Sequence, residues 1–447
     1  MFGTNIKLPI LRPKDSLLLP GLLLFLTLLT STAAAQFGGE ERPIEINGYL
    51  LTHISGRAID QYRLEDEEKK DSDYLLGEER LRLDVYTWSE SVEASARIKV
   101  DFVNSELADD SSIDVREAFV DYTTGDFDLR LGRQVITWGV GDLVFINDVF
   151  PKDWVSFFAG RPLEYLKLGS EGFRIRYSSS ILNGELLALP FFRPDEAPDS
   201  DTFFMYDPTS AIEEQTEVMP RNDFENIELA ARLYRRLGNY DLSAYSYKGF
   251  YHLPSAQVNM ISPTQISLEK FYPRLYVNGL SLQTTLLGGV TSLEAGYHFS
   301  RDDDEGDDPL IPNSEKRFLV GYQRQLWTDS NFGVQYYDEA IEQYEAYLDE
   351  LPDGYPKKRA HRNTLTLRLE QFLLHQTWHL SMFSFYSPVD ADSLLQPKAT
   401  YKFSDNLAGT MGANIFGGVQ DENDDDPTFL AQFDKNDNLY LSLRFDF

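Results

Sequence analysis

The chain has 447 residues, no cysteine, 25 tyrosines, 30 phenylalanines and a formal net charge of −31. Such an acidic chain is a poor partner for nucleic acid and for anionic surfaces. A mean hydropathy of −0.36 argues against a helical membrane protein. It does not argue against a transmembrane β-barrel, in which half of each strand faces water.

The N-terminus has the three parts of a secretory signal peptide. Basic residues precede an apolar run, Leu17–Leu29, and small residues follow at Ala33 and Ala35. The run is shorter than the ~20 residues that a retained membrane helix needs, so cleavage after residue 35 is the better interpretation. Residues 1–35 are therefore predicted to be removed, which leaves a mature chain without cysteine and with a charge near −33.

After a short segment, 36–43, the chain from 44 to 447 consists of alternating apolar and polar segments of about ten residues, which is the pattern of a transmembrane β-barrel. Eighteen strands are predicted, at 44–59, 76–88, 92–102, 113–122, 127–137, 172–178, 182–191, 224–236, 240–250, 275–287, 290–300, 316–327, 332–344, 362–373, 377–386, 395–403, 407–416 and 438–447. The fourth has an imperfect alternation, which predicts a bulge.

The connections between these strands are alternately short and long, as in an up-and-down barrel with both termini in the periplasm. The acidic clusters fall in long, extracellular connections, at Glu65–Asp73, Asp302–Asp308 and Asp421–Asp426. Tryptophans fall at the short-turn ends of strands, at Trp88, Trp327 and Trp378. Their position predicts an aromatic girdle at the periplasmic interface.

The last strand, Asn438–Phe447, alternates without a break. Its odd-numbered residues are leucine or phenylalanine and its even-numbered residues are mostly polar. A strand with one apolar face that ends on Phe447 resembles the terminal signal of bacterial outer-membrane barrels, which the barrel-assembly machinery reads. In a closed barrel lipid covers the apolar face and the first strand covers the free edge.

The segment 138–168 is too apolar for a loop in water, because it contains many large apolar side chains between Leu143 and Phe158. It is predicted to pack inside the barrel. The motif Gly132-Arg133-Gln134 with Trp138-Gly139, followed by Asn147-Asp148 and Pro151-Lys152-Asp153, resembles outer-membrane porin families grouped with alginate-export-like barrels. By the strand count this is the third extracellular loop, and the resemblance implies that it narrows the pore.

Two groups of charged residues are candidates for the pore lining and constriction. They are Arg80, Arg82, Arg97, Lys99, Arg130, Arg174 and Arg176 on the predicted inner wall, and Arg133, Asp142, Asn147, Asp148, Lys152 and Asp153 in the motif segment. The motif residues either bind the loop to the wall or contact solute, and both roles can hold together.

The basic wall has two interpretations that the sequence leaves open. A basic strip facing acidic groups across a narrow lumen favours anionic or carboxylated solutes. Alternatively, the cations pair with acidic neighbours on the same wall, which neutralises and stiffens it. The predicted acidic partners are Asp84, Glu93, Asp101 and Asp128.

Catalytic, cofactor and metal signatures are not found in the sequence. His375 and His379 would lie roughly 13 Å apart on a strand, and the nucleophile, phosphate-loop and haem motifs are missing. We therefore expect no enzyme, no cofactor and no metal site.

The sequence predicts an all-β fold, an antiparallel up-and-down transmembrane barrel of about 18 strands with its third loop in the lumen. We expect an outer-membrane porin of a Gram-negative envelope that passes small solutes, with anionic or carboxylated solutes as the candidates. Lipid, lipopolysaccharide and the assembly machinery are the expected partners, nucleic acid is not, and association of several copies is left open. The alternatives are a conduit barrel that sheathes a periplasmic partner, and an outer-membrane enzyme.

Overall fold

The computed structural model describes residues 44–59, 70, 72–105, 110–207, 209, 212–262, 265–352, 357–418 and 428–447. The predicted signal peptide, 1–35, and the segment 36–43 lie outside the described residues. Most of the acidic stretch 65–73 and the whole of 421–426 lie outside them as well.

Twenty-one strands are present in the described residues. They are β1 (Ile44–Arg57), β2 (Tyr74–Ser89), β3 (Ala94–Ser105), β4 (Asp110–Thr124), β5 (Phe127–Val135), β6 (Gly169–Tyr177), β7 (Asn183–Leu189), β8 (Gln215–Val218), β9 (Glu228–Leu237), β10 (Tyr240–Phe250), β11 (Ser255–Ser262), β12 (Gln265–Phe271), β13 (Arg274–Leu286), β14 (Gly289–Ser300), β15 (Glu315–Arg324), β16 (Ser330–Ile341), β17 (His361–Leu373), β18 (Trp378–Ser387), β19 (Asp392–Lys402), β20 (Leu407–Gly417) and β21 (Asn438–Asp446).

Eighteen of these strands form one closed antiparallel sheet, and each pairs with its neighbours along the chain. The sheet closes between β1 and β21, where Tyr49 lies opposite Asp446. Phe447 extends the pairing, because its N–H and its carbonyl each bond to Gly48 at 3.0 Å. Since every barrel strand has two neighbours, the sheet has no free edge. The predicted barrel of 18 strands is confirmed.

The two faces of the barrel differ as the alternation predicts. On β21 the apolar residues are exposed, with Leu439 at 61% and Leu441 at 62%, whereas Tyr440 between them is 8% exposed. A continuous apolar outer face is the surface that lipid covers in a transmembrane barrel. The inner face carries the polar and charged side chains of the strands.

The bulge predicted in the fourth strand is confirmed. The register of β3 and β4 shifts between Lys99 and Val100, and Arg116 is the extra residue on β4. The bulge turns Arg116 toward the ring of Tyr165, which lies 5.0 Å from its guanidinium carbon.

A second, three-stranded sheet lies outside the barrel in the stretches predicted to be long loops. In it β12 pairs with β11 antiparallel and with β8 parallel. The helices are short: α1 (Trp154–Ala159) and α2 (Tyr344–Glu350), with 3₁₀ turns at 163–165, 224–226 and 431–436. None of the helices in this described part of the chain is long and apolar enough to cross a membrane.

The tryptophan girdle is only partly as predicted. Trp378 and Trp327 are exposed, at 36% and 60%. Trp88 instead stacks on Tyr86 with ring centroids 5.5 Å apart. Tyr86 lies opposite Arg97 in the β2–β3 ladder, which places Trp88 on the charged inner face. The prediction for Trp88 was wrong because a tryptophan near a strand end fits either face.

Candidate functional site

The segment 138–168 connects β5 to β6 and contains α1. Asp153 caps α1, because its carboxylate accepts a hydrogen bond from the backbone N–H of Ser156 at 2.6 Å. Gly160 ends the helix with φ +84°, a left-handed conformation that favours glycine. A Cβ at this position would lie 2.3 Å from the ring of Tyr440 on β21, so the helix end packs directly against the wall.

The first half of the segment is held by one carboxylate. Glu294 of β14 is 1% exposed and accepts hydrogen bonds from the backbone N–H groups of Val140 (2.7 Å), Gly141 (3.0 Å) and Asn147 (3.0 Å). The side-chain amide of Asn147 donates a fourth, at 2.9 Å. Hydrogen bonds to an ionised acceptor are roughly twice as strong as neutral ones, so Glu294 is a strong anchor.

The wall is shaped to receive the tip of this half. A Cβ at Gly279 would lie 1.7 Å from Oδ1 of Asn147, and a Cβ at Gly296 would lie 2.6 Å from Ile146. Contacts under 3.0 Å are not tolerated by real side chains, so both positions require glycine for the tip to pack here.

A second tether joins the same half to β17. Arg368 donates two hydrogen bonds to the carboxylate of Asp142, at 2.5 and 2.7 Å. The backbone N–H of Asp142 donates to Gln335 of β16 at 2.7 Å, and the amide of Gln335 donates back to the carbonyl of Asp142 at 2.8 Å. Asp142 is thus held through both its side chain and its backbone.

The middle of the segment is organised around a buried lysine. Lys152 is 5% exposed, and its ammonium donates to the carbonyls of Asp148 and Phe150, both at 2.7 Å. Burial lowers the pKa of Lys152. Asp148 lies 3.7 Å from Lys152 and 2.5 Å from Lys167, so one carboxylate serves two lysines.

The second half reaches the opposite part of the wall. Arg161 forms an ion pair with Glu78 of β2 at 2.9 Å and lies 3.5 Å from Asp153. The carbonyl of Phe158 accepts hydrogen bonds from Asn414 of β20 (2.8 Å) and Asn438 of β21 (3.1 Å).

Tyr165 is the centre of an arginine cluster. The guanidinium carbons of Arg80, Arg82 and Arg116 lie 4.5, 5.0 and 5.0 Å from its ring centroid. Its hydroxyl lies 2.6 Å from that of Tyr49 on β1. Burial raises the pKa of Tyr165 to about 12, because the phenolate would lose water.

Apolar packing and a second loop complete the attachment. Phe157 and Phe158 are in a buried cluster with residues of strands and of other loops, namely Leu75, Leu76, Phe203, Leu394, Phe416, Leu430 and Phe433. Asp195, in the connection after β7, accepts hydrogen bonds from the backbone N–H of Lys152 (2.8 Å) and from the indole of Trp154 (2.9 Å).

The contacts of 138–168 are thus distributed around the circumference, on β1, β2, β7, β14, β16, β17, β20 and β21. The sequence prediction that this segment narrows the lumen stays a prediction. What these contacts describe directly is how the motif residues attach the segment to the barrel wall.

Most predicted wall cations have acidic partners. Arg97 donates two hydrogen bonds to Asp84 (2.6 and 2.8 Å), and Arg82 donates two to Asp101 (2.5 and 2.7 Å). The remaining pairs are Arg80 with Glu78 and Asp101, Lys99 with Glu117, and Arg130 with Asp121. Arg133 pairs with Glu171. By alternation it is on the same face of β5 as Leu131, which is 60% exposed.

Two of the predicted acidic partners are placed differently from the prediction. Glu93 is in the β2–β3 turn with φ +48°, and Asp128 accepts a hydrogen bond from the hydroxyl of Thr123 at 2.7 Å. The partners that sequence reasoning missed are Glu78, Glu117, Asp121 and Glu171. The register between strands identifies Glu117, Asp121 and Glu171, whereas Glu78 is two residues from Arg80 on the same strand.

Arg174 and Arg176 of β6 differ from the other wall cations. Arg176 lies 3.4 Å from Glu185. Arg174 is 7% exposed and lies directly opposite Arg130 in the ladder. Within the described ranges no carboxylate lies within 4.0 Å of the Arg174 guanidinium. Across the described part of the chain there is also no group of three or more histidine, aspartate or glutamate side chains placed to hold a metal ion.

No family model matches this sequence, and no curated protein matches it. Solved structures of Pseudomonas aeruginosa proteins are similar in fold. OccK2 (OpdF), solved in complex with glucuronate, is 8% identical over 90% of this chain and 97% of its own, with a TM-score of 0.55. OccK5 (OpdH) is 8% identical over 90% and 97%, with a TM-score of 0.54. OccD3 (OpdP) is 10% identical over 92% of each chain, with a TM-score of 0.52.

The closed barrel and its apolar outer face define the class: the chain has the fold of bacterial outer-membrane porins. The predicted porin barrel is confirmed at the level of the fold, which agrees with the predicted place in the bacterial outer membrane. The resemblance to alginate-export-like families has no counterpart among these similarities and stays a prediction.

Proposed function

We propose that the protein is a passive outer-membrane channel for small solutes, with a preference for anionic or carboxylated ones. A barrel of 18 strands is wide enough for a water-filled passage. Its charged inner face supports this role, because a channel wall must be wetted. The proposal contains no catalytic step.

The segment 138–168 is the proposed constriction. It is tied to strands around the circumference by Glu294, Arg368 and Glu78, which supports a position across the lumen. Solute then passes between the segment and the wall. These contacts also weigh against a conduit that sheathes a protein partner, since such a conduit needs a wide and empty lumen.

The observation that carries the anion preference is Arg174. A buried guanidinium that lacks a carboxylate within 4.0 Å is unfavourable, and an anion that passes it relieves the cost. Arg130 and Arg176 lie beside it, and each is paired with a carboxylate, Asp121 and Glu185 respectively. Arg232 of β9 lies opposite Glu185, and its guanidinium donates to the hydroxyl of Ser243 at 3.1 Å. OccK2 was solved with glucuronate, a carboxylated sugar, which is the kind of solute that we propose.

Planar-bilayer recording tests the channel. Purified protein that has inserted as a folded barrel should carry ion current, and inserted barrels that carry none would overturn the proposal. Liposome swelling with sugars, dicarboxylates and oligouronates then ranks solutes of similar size. Faster swelling with the carboxylated members is the expected result.

The reversal potential in a salt gradient tests the anion preference. Removing one charge about 6 Å from a passing ion changes its energy by about 0.7 kcal/mol in water, or about threefold in local concentration. Arg174→Gln should therefore lower the anion-to-cation permeability ratio by about that factor. Asp84→Asn combined with Arg97→Gln removes a paired couple without changing the net charge and should leave the ratio as it is. An unchanged ratio in Arg174→Gln would reject the anion preference and leave the channel proposal standing.

A further inference from the structure

The outer face of the barrel has a shallow groove between β9 and β15. Its floor contains the small residues Ala244 and Ala295, and larger side chains stand around it, among them Leu233, Leu280 and Phe318. The groove is almost entirely apolar and its volume is about 510 Å³. That volume is within the range of about 300–1,000 Å³ for sites that bind small molecules.

One cation, Arg235, is among the residues that line this groove. It is on the same face of β9 as Leu233 and Leu237, which are 52% and 44% exposed. In the ladder it lies opposite Leu242. The side chain is therefore on the lipid-facing side. Among the described residues no carboxylate lies within 4.0 Å of it, whereas its neighbour Arg236 lies 3.8 Å from Asp241.

The depth of Arg235 fits a lipid headgroup. It is three residues before Gly238, which is in the short turn between β9 and β10, and short turns are at the periplasmic end of such barrels. An arginine on the lipid-facing side is tolerated near this interface, where it can reach the phosphate level. Arginine also binds phosphate through two parallel hydrogen bonds.

We propose that the groove and Arg235 form a binding site for one phospholipid of the periplasmic leaflet. The phosphate binds the guanidinium of Arg235, and one acyl chain lies over Ala244 and Ala295. Because a lipid tail is as apolar as leucine, the fit comes from close packing of the chain into the groove and from the charged headgroup contact.

A second copy of the chain fits the groove less well. A two-fold contact places the same patch on both partners. Where the two-fold axis passes through the groove, each Arg235 would lie close to the same cation of the other copy, and like charges at an interface are unfavourable.

Native mass spectrometry of the purified full barrel tests the site. The probes are dioleoylphosphatidylglycerol and dioleoylglycerol, which have the same acyl chains and differ in the phosphate. We expect one tightly bound phosphatidylglycerol and at least tenfold weaker binding of dioleoylglycerol. Arg235→Gln should weaken phosphatidylglycerol binding by about tenfold, and Ala295→Phe should abolish it by filling the groove.

Matched controls are available on the same surface. Arg236→Gln removes the neighbouring arginine. Ala399→Phe adds a ring to the outer face of β19, where Ala399 lies opposite the exposed Leu380 and Met411. Both controls should bind phosphatidylglycerol as the unaltered protein does, and all four variants should keep the heat-modifiable gel migration of a folded barrel.

Three results would overturn the proposal. They are equal binding of the two probes, unchanged binding in both groove variants, and a dimer in the unaltered protein that Ala295→Phe dissociates. The last result would assign the groove to a second copy.

Discussion

Asp142 and Arg368 are 226 residues apart in the chain, yet two hydrogen bonds of 2.5 and 2.7 Å join their side chains. The pair links the segment 138–168 to β17. Asp142 is about half exposed and Arg368 about a quarter exposed, so water screens the attraction, and we expect a contribution of about 1 kcal/mol. Such a bond positions the segment while allowing it to detach briefly.

Arg368→Gln is predicted to loosen the segment. A loss of about 1 kcal/mol raises the ratio of detached to attached states by about fivefold. Single-channel recording should then show more frequent steps of larger conductance. Asp142→Asn should have the same effect, and the two changes together should add little, because they remove one interaction.

The control is Arg362→Gln on the same strand, an arginine that lies 3.3 Å from Asp390 and forms its ion pairs with Asp390 and Glu339 outside the segment. Its single-channel record should match that of the unaltered protein. If Arg368→Gln gives the same record too, the tether does not control the passage.

Glu294→Gln is predicted to release the first half of the segment. The carboxylate accepts four hydrogen bonds from the segment, and an amide has one acceptor atom and turns an NH₂ group toward donors. Buried donors without partners cost about 1–3 kcal/mol each. Trypsin should then cut after Lys152, which we expect to be protected in the unaltered protein, while the barrel itself keeps its heat-modifiable migration.

Glu79→Gln, an exposed glutamate on β2, should leave the trypsin pattern unchanged. Protection of Lys152 in Glu294→Gln would mean that the other tethers suffice to hold the segment.

Gly279→Ala is predicted to give the same trypsin pattern by a steric route. The added methyl would overlap Oδ1 of Asn147, and overpacking of this kind costs about 1–3 kcal/mol. Gly333→Ala is the matched control, since its Cβ would meet the side chain of Arg368 at an ordinary 3.6 Å. Cleavage in both variants, or in neither, would contradict the requirement for glycine at position 279.

The strands were predictable because apolar and polar residues alternate with a period of two in every barrel strand. An apolar residue on the outer face is favoured because that face contacts lipid. Alternation also assigned most wall residues to a face, as with Arg82 and Arg97. It failed for Trp88, which is compatible with either face, and it gave no signal for β8, β11 and β12, which do not belong to the barrel.

The wall partners of the segment 138–168 were not predictable. Alternation places Glu294 and Arg368 on the inner face, but it does not say which loop residue meets them. Gly279 and Gly296 leave no pattern in the sequence that distinguishes them from turn glycines. Such contacts depend on how the segment 138–168 folds against strands that are far apart in the chain. The spacing of residue types within one strand carries no information about that fold.

Tyr165 gives a prediction in alkaline solution. The pKa of Tyr165 is about 12 in the folded protein, against 10.0 for a free tyrosine, because burial disfavours the phenolate. Between these values the unfolded chain has released the proton while the folded protein keeps it. Stability that is fully present below pH 10 is therefore lost as the pH rises toward 12, by roughly 3 kcal/mol in all.

Tyr165→Phe removes the titrating group and keeps the ring that the three arginines contact. The variant starts less stable, because the hydroxyl contact with Tyr49 is lost. Its melting temperature should fall less steeply between pH 10 and 12 than that of the unaltered protein. Thermal melting in detergent at closely spaced pH values measures both slopes, and the difference between them isolates Tyr165 from the lysines and other tyrosines that titrate in the same range. Parallel curves would mean that Tyr165 ionises at its ordinary pKa, and then the arginine cluster around it would have to be open to water.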